Sequence, residues 1–432
     1  YEIAQCLVGS EMCIRDSVGN DAGFDRLINS YSYGGLFRND MAWFQGDAVR
    51  KNPNLKPETT ISKEIGAEVR LLDGRLTADV TYYDKYTRDQ IVESELSYLS
   101  NYQRVIINSG KISNKGWEIS VSGVPVKVKN FEWKTIFNWS KNNSMVESLP
   151  EGIDKIQIGS GVYNVKSYAE VGKPYGAIYA KTFKRDAEGY ILCQLDGSPK
   201  EGQDYEYLGC VQADWRGGWN NVFRLGNFSF SVMFDFQKGG KFFSQTSIQS
   251  SVDGQSVKSL EGRDADFFSR KILGESDEER YGFMRPQNAN TPTANGQIYP
   301  DWGRPKGVVL PNCRYDEDVE GLAGQQVLGY CTPERYWMHY TSRDISRFIY
   351  DASYVKLREI TVSYDLPKKW LRKTPFQTFR VAAVGRNIAT LFANTPHGLD
   401  PQATSTTGNA QGFERGFNLP LSLIHISEPT RH

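Results

Sequence analysis

The stretch Asn52–Ile91, NPNLKPETTISKEIGAEVRLLDGRLTADVTYYDKYTRDQI, decides the fold. Ile61, Lys63, Ile65, Ala67, Val69 and Leu71 share one parity, and Ser62, Glu64, Gly66, Glu68 and Arg70 share the other. Successive strand side chains point to opposite faces, so the segment has one apolar and one polar face. Asp73-Gly74 supplies a hairpin turn. Beyond it Leu76, Ala78, Val80 and Tyr82 stand opposite Arg75, Thr77, Asp79, Thr81 and Tyr83. Each strand is predicted at about 11 residues, enough to cross a bilayer when tilted. A soluble sandwich strand is usually about 5–6. The length predicts a transmembrane barrel.

Working outward, the pattern returns. Trp117, Ile119 and Val121 oppose Glu118, Ser120 and Ser122, and Lys129-Asn130 marks a turn. Phe131, Trp133, Thr135, Phe137 and Trp139 then line one face, against Glu132, Lys134, Asn138 and Ser140. Trp219, Asn221, Phe223 and Leu225 lead through Gly226-Asn227 into Phe228, Phe230, Val232, Phe234 and Phe236. In Tyr350–Leu366 the parity slips between Val355-x-Leu357 and Ile360-x-Val362-x-Tyr364, which predicts a bulge near Arg358-Glu359. Phe376–Asn387 reads as a further strand, and Gly412–Pro420 as the start of another. The whole is an all-β chain of roughly ten antiparallel strands.

Two segments break the pattern. Ser144–Asp214 is a long excursion with small hairpins expected around Tyr175–Phe183, and Phe242–Phe348 another, with a short helix expected in Asp264–Tyr281. Structureless loops of that length count against a compact domain. They are expected on the outer side of an outer-membrane barrel. Gly23–Val49 reads as the end of one strand, a loop and the start of the next.

The bulk numbers exclude more than they identify. Among 432 residues, 51 Lys and Arg balance 51 Asp and Glu, so no charge excess points to nucleic acid. Aromatic content of 13% with 40 glycines, at only 39% hydrophobic residues, suits a β-rich protein. No apolar run reaches the roughly 18 residues of a transmembrane helix, and a barrel needs none.

A resemblance joins the pieces. Val18-Gly19-Asn20-Asp21-Ala22, Asn52-Pro53-Asn54-Leu55-Lys56-Pro57-Glu58 and Tyr82-Tyr83-Asp84-Lys85 are followed by Asn108-Ser109-Gly110 and Asn114-Lys115-Gly116-Trp117-Glu118. Tyr354-Val355-Lys356-Leu357-Arg358-Glu359-Ile360 and Gly398-Leu399-Asp400-Pro401 complete the series. In this order the motifs resemble SusC/RagA-type TonB-dependent outer-membrane transporters. The resemblance implies that the strands are the C-terminal part of a barrel of about 22, with long extracellular loops. It further implies residence in the cell outer membrane among its lipids, and import of a glycan or peptide. The implied partners are a SusD-like surface lipoprotein and, through an upstream plug and TonB-box, the TonB complex. A siderophore-type receptor is an alternative, against which the large loops and the Gly398–Pro401 piece argue. A soluble, secreted β-rich glycan-binding protein is the other, because periodicity alone does not separate a lipid-facing from a core-facing apolar side.

The ends read differently. Cys6–Ser17 (CLVGSEMCIRDS) and Leu421–His432 (LSLIHISEPTRH) resemble translated sequencing-adapter read-through, ordinary terminal strands being the alternative. Residues 1–17 and 421–432 are therefore set aside, leaving 18–420 as the receptor barrel. No signal peptide opens the chain, and the expectation is a piece that lacks plug, leader and final strand.

Candidate functional residues follow from position. Glu68, Arg70, Glu118 and Lys134 are expected to face the lumen, as pore or plug contacts or as a solvated face. The loop aromatics Tyr299, Trp302, Tyr336 and Trp337 could stack on a ligand or partner, or pack the loop itself. Asp316, Glu317, Asp318 and Glu320 lack a calcium-loop spacing and read as solvated surface. Cys193, Cys210, Cys313 and Cys331 form two pairs local in sequence; an exported protein permits loop disulfides, unpaired buried thiols being the alternative. Neither His339 nor His397 stands near a nucleophile motif, and Gly239-Gly240-Lys241 lacks the rest of a phosphate loop. No catalytic residue, metal site, cofactor or nucleic-acid contact is expected.

Overall fold

A computed structural model describes residues 11–18, 26–37, 41–96, 98–108, 110–161, 163–261, 308–331, 333–372, 378–396, 399–403, 412–414 and 416. Its frame is one sheet of nine antiparallel strands in chain order. They are β1 (Glu11–Val18), β2 (Thr59–Leu71), β3 (Leu76–Arg88), β4 (Lys111–Val128), β5 (Phe131–Ser148), β6 (Trp215–Leu225), β7 (Phe228–Lys238), β8 (Tyr354–Asp365) and β9 (Arg380–Ala393). Six of the nine have 12 to 18 residues.

The expected turns are present. Arg75 N–H donates to Leu72 O at 3.1 Å around Asp73 (φ 53°) and Gly74 (φ 77°), the positive-φ pair a right-twisted hairpin needs. Val128 pairs with Phe131 across Lys129-Asn130, and Leu225 with Phe228 across Gly226-Asn227. These turns, with the 366–379 connection of β8 and β9, lie at one end of the up-and-down sheet. The long excursions between β3 and β4, β5 and β6, and β7 and β8 all leave from the other.

Register carries the two faces from strand to strand. One row joins Ile65, Tyr82, Trp117 and Lys141, and a neighbouring row joins Ala67, Val80, Ile119 and Trp139. Farther along the sheet Trp133, Phe223, Phe230, Val362 and Ala383 are successive partners. The bulge is found at Arg358: Met233 pairs with Glu359 but Phe234 with Leu357, so Leu357 and Val355 return to the apolar face. Rings stack along it, with centroids 5.9 Å apart for Trp133–Phe223, 6.2 Å for Phe223–Phe230 and 5.8 Å for Trp219–Phe234.

Nothing among the described residues covers this face. Phe228 is 57% exposed, Trp219 41% and Phe230 40%. The hydrophobic cores lie elsewhere, at the long-excursion end. The largest unites Ile178 and Phe183 from the β5–β6 excursion, Phe243, Trp337 and Phe348 from the β7–β8 excursion, and Phe413 from beyond β9. A smaller one joins Leu55 to Ile91 and Ile106. A soluble sandwich would bury its apolar sheet face in a core about 10 Å thick. Here that face is left uncovered among the described residues, which does not favour the soluble alternative.

Three local expectations change. Phe413–Glu414 does not extend the wall but pairs in parallel with Phe243–Ser244. Phe413 is fully buried, and the Glu414 carboxylate accepts from Ser244 Oγ (2.8 Å) and Thr246 N–H (2.9 Å) at the start of helix Gln245–Val252. Instead of one strand, a loop and another, the Gly23–Val49 region contains a hairpin, Tyr31–Phe37 against Met41–Gly46. Glu11–Val18, all but Val18 within the segment set aside, pairs along Thr59–Gly66. Main-chain pairing reads no side chain, so it bears on geometry and not on origin. The helix expected in Asp264–Tyr281 lies outside the described residues, as does the start of the Phe376 strand.

Candidate functional site

The polar face of the sheet holds the site. Asp79, Ser120, Asn138, Gly218, Asp235 and Lys356 are successive register partners from β3 to β8. The neighbouring row is Thr81, Glu118, Ser140, Arg216, Gln237 and Tyr354. Their middle members line a concave pocket of about 500 Å³ that includes Asp79, Glu118, Asn138, Arg216 and Asp235. Gly218 keeps it open: a Cβ there would meet nothing nearer than 3.7 Å, so the space is what a side chain would fill.

The floor is hydrogen-bonded rather than loose. Ser120 Oγ donates to Asn138 Oδ1 at 2.8 Å, and Arg216 Nε to Gln237 Oε1 at 3.0 Å. At one side the pocket runs into an ion network. Arg358 pairs with Asp235, and donates to Asn387 Oδ1 and Gln402 Oε1 at 2.8 Å each. Lys356 Nζ reaches Asp400 Oδ1 at 2.5 Å and Gln402 Oε1 at 2.8 Å. Gln402 Nε2 donates to Tyr354 OH at 2.5 Å. A buried charge persists only when paired and hydrogen-bonded. That condition is met here. The surface presents hydrogen-bond donors, acceptors and charges.

Of the expected lumen residues, Glu118 lines the pocket. Glu68 and Arg70 pair with each other at 2.7 Å on β2, near the tight-turn end. Lys134 shares the polar face, opposite Val222. Sequence reading singled out neither Arg216 nor Asp235. Arg216 precedes the recognisable apolar alternation of β6, and Asp235 was one polar residue among several of equal parity.

The wall's other face solves a different problem. Thr135 and Asn221, register partners, interrupt the apolar band. Trp133 Nε1–H donates to Asn221 Oδ1 at 3.1 Å, and Trp219 Nε1–H to Thr135 Oγ1 at 2.9 Å. Polar groups in hydrocarbon must be satisfied internally.

These features meet in known proteins. Residues 22–177 match the family model described as TonB dependent receptor-like, beta-barrel. The TonB-dependent receptor P3 of Formosa agariphila is 25% identical over 390 residues, 85% of this chain and 33% of that protein. Over most of its length the chain is similar to TonB-dependent receptors. The TonB-dependent receptor SusC of Bacteroides thetaiotaomicron is 29% identical over 104 residues, 24% of this chain and 10% of that protein. The RagAB peptide transporter superposes with a TM-score of 0.63 at 15% identity, over 95% of this chain and 39% of that one. At that identity the likeness is one of fold, and the fold is the transmembrane β-barrel. The chain spans a third or less of the curated relatives named here. TonB-dependent receptors are outer-membrane proteins, and an uncovered apolar sheet face is what a lipid-facing wall requires.

The loop candidates are placed differently from expectation. Tyr336 and Trp337 are each 1% exposed, packed in the loop core with the Arg347 guanidinium over both rings. They fill the interior, the second of the two expected roles. Tyr299 and Trp302 lie outside the described residues, as do His397 and Gly398. His339 is exposed. Asp316 is not solvated surface: it is 2% exposed and bound by Lys184 (3.0 Å) and Lys200 (2.7 Å). Burial works against its ionisation, but hydrogen bonds from the two lysines outweigh it and hold the carboxyl down at about 2.

The cysteines do not form the expected local pairs. Cys313 pairs with Val327, four residues along the partner strand from Cys331 and thus about 13 Å away at strand rise. Cys210 ends the strand Glu201–Cys210, whereas Cys193 bridges to Pro199, before that strand begins. None of the four is joined in a disulfide in this structure.

Proposed function

We propose that this chain is part of a SusC-like TonB-dependent transporter that imports large nutrients, glycans or peptides, across the outer membrane. The observation that carries the reading is the two-faced wall: an uncovered aromatic band on one side and a hydrogen-bonded polar pocket on the other. Lipid takes the first face, and a wet translocation path takes the second. The excursions, folded into one core at one end, form the extracellular surface where a SusD-like lipoprotein would sit. Both outer edges of the sheet, on β1 and β9, are unpaired among the described residues. Such edges cannot face lipid, so closure calls for further strands. Energy would arrive from the TonB complex through a plug and TonB-box outside residues 18–420. Residues 1–17 and 421–432 are, in this reading, not native to the receptor. No catalytic role is proposed.

Deleting the gene in its own cell and growing the strain on single polymeric carbon or nitrogen sources tests this. Loss of growth on one class of glycan or peptide, with a surface lipoprotein co-purifying with the detergent-extracted receptor, is the expected result. A protein recovered monodisperse from buffer without detergent would contradict it.

A further inference from the structure

Cys193 and Cys313 come from different excursions, β5–β6 and β7–β8, yet they sit on adjacent parallel strands. Ile191 is the register partner of Cys313, and Cys193 that of Tyr315. Residues two apart on a strand share a face, so both thiols project to the same side of this small sheet. They enter the same core, Cys193 at 0% and Cys313 at 2% exposure, and their side chains are within hydrogen-bonding reach of each other. The remaining thiol of that core, Cys331, is held four residues along its strand from Val327, the register partner of Cys313.

We infer that Cys193 and Cys313 form a disulfide in the exported protein, tying the β5–β6 excursion to the β7–β8 excursion. The oxidant is a protein or small-molecule disulfide of the oxidising compartment through which the chain passes. One cysteine, as thiolate, attacks the donor disulfide and releases one donor thiol. The second then attacks the mixed disulfide and releases the other. Two protein thiols lose two protons and two electrons, and the donor disulfide gains both as two thiols. Because both cysteines are buried once folded, the bond forms during folding. The hydrogen bond to Cys313 and burial push the Cys193 thiol up, while the same hydrogen bond holds Cys313 down; burial shields an unoxidised pair afterwards. The link lies within the extracellular core and makes the two excursions move as one body.

The test takes the full-length receptor from isolated outer membranes, unfolds it in an alkylating reagent without reductant, digests it and reads the peptides by mass spectrometry. The expected result is a peptide joining Cys193 to Cys313, two hydrogen masses lighter than its halves and cleaved by reductant. It should be lost in Cys313→Ser and retained in Cys331→Ser. Recovery of Cys193 and Cys313 both alkylated, or either joined to Cys210 or Cys331, overturns the inference. Starting from outer membranes separates a missing link from a misplaced protein.

Discussion

Lys356 Nζ and Asp400 Oδ1 lie 2.5 Å apart, with side chains 4% and 0% exposed. Two sequence motifs 44 residues apart, Tyr354–Ile360 and Leu399-Asp400-Pro401, thus meet as one buried ion pair. Gln402 N–H also donates to Asp400 Oδ1 at 2.9 Å, closing the turn around the carboxylate. The pair anchors the segment after β9 against the inner wall.

Removing one partner should therefore cost more than removing both. Lys356→Met leaves a buried carboxylate without its cation, at about 3–5 kcal/mol. Adding Asp400→Leu should recover part of that loss. Urea unfolding of the receptor in detergent gives the magnitudes, and limited proteolysis within 394–403 localises the effect.

The outer face should reject charge where the polar face accepts it. Phe234 stacks on Trp219 in the middle of β7, and Ser231 points the other way. Phe234→Arg should cost about 2–4 kcal/mol in lipid. Ser231→Arg should change folding in lipid vesicles by less than about 1 kcal/mol, the ordinary range for surface substitutions.

The indole bonds should be visible in a double-mutant cycle. Asn221→Leu strands Trp133 Nε1–H beside lipid, at about 1–3 kcal/mol. In a Trp133→Phe background the same change should cost much less, and the difference is the coupling. Equal costs in both backgrounds would mean that the bond contributes nothing.

Acid should loosen the extracellular core through Asp316. Its folded pKa of about 2 lies below the ordinary 3.8. A depressed carboxylate stabilises the fold fully above its unfolded value, and the contribution is lost as pH falls from about 4 through about 2. Trp337 fluorescence, in a variant whose other tryptophans are phenylalanine, should report this opening. Lys200→Met, which removes the 2.7 Å partner, should move the midpoint to higher pH.

The wall was legible in sequence because each strand meets two solvents, so period two is written locally in every segment. Even the bulge at Arg358 could be read, from the parity slip between Leu357 and Ile360. The loop core was not, because its contacts are distant in sequence and aperiodic. Phe413 packs on Phe243, with ring centroids 6.3 Å apart, and Cys193 neighbours Cys313. Nothing within either excursion announces the partner in the other. The local Cys pairs failed for the same reason: spacing in sequence ignored the strand register that separates Cys313 from Cys331. The pocket was half legible, since parity nominated Glu118 but not which polar residues share its rows.

The central claim is that one face of this wall meets lipid and the other meets water. Single nitroxide labels placed in turn from residue 228 to 236 of the receptor in bilayers test it most directly. Labels at 228, 230, 232, 234 and 236 should be relaxed by lipid-soluble oxygen, and those at 229, 231, 233 and 235 by a water-soluble nickel chelate, alternating residue by residue. Uniform access to the chelate, or no alternation, would contradict the account.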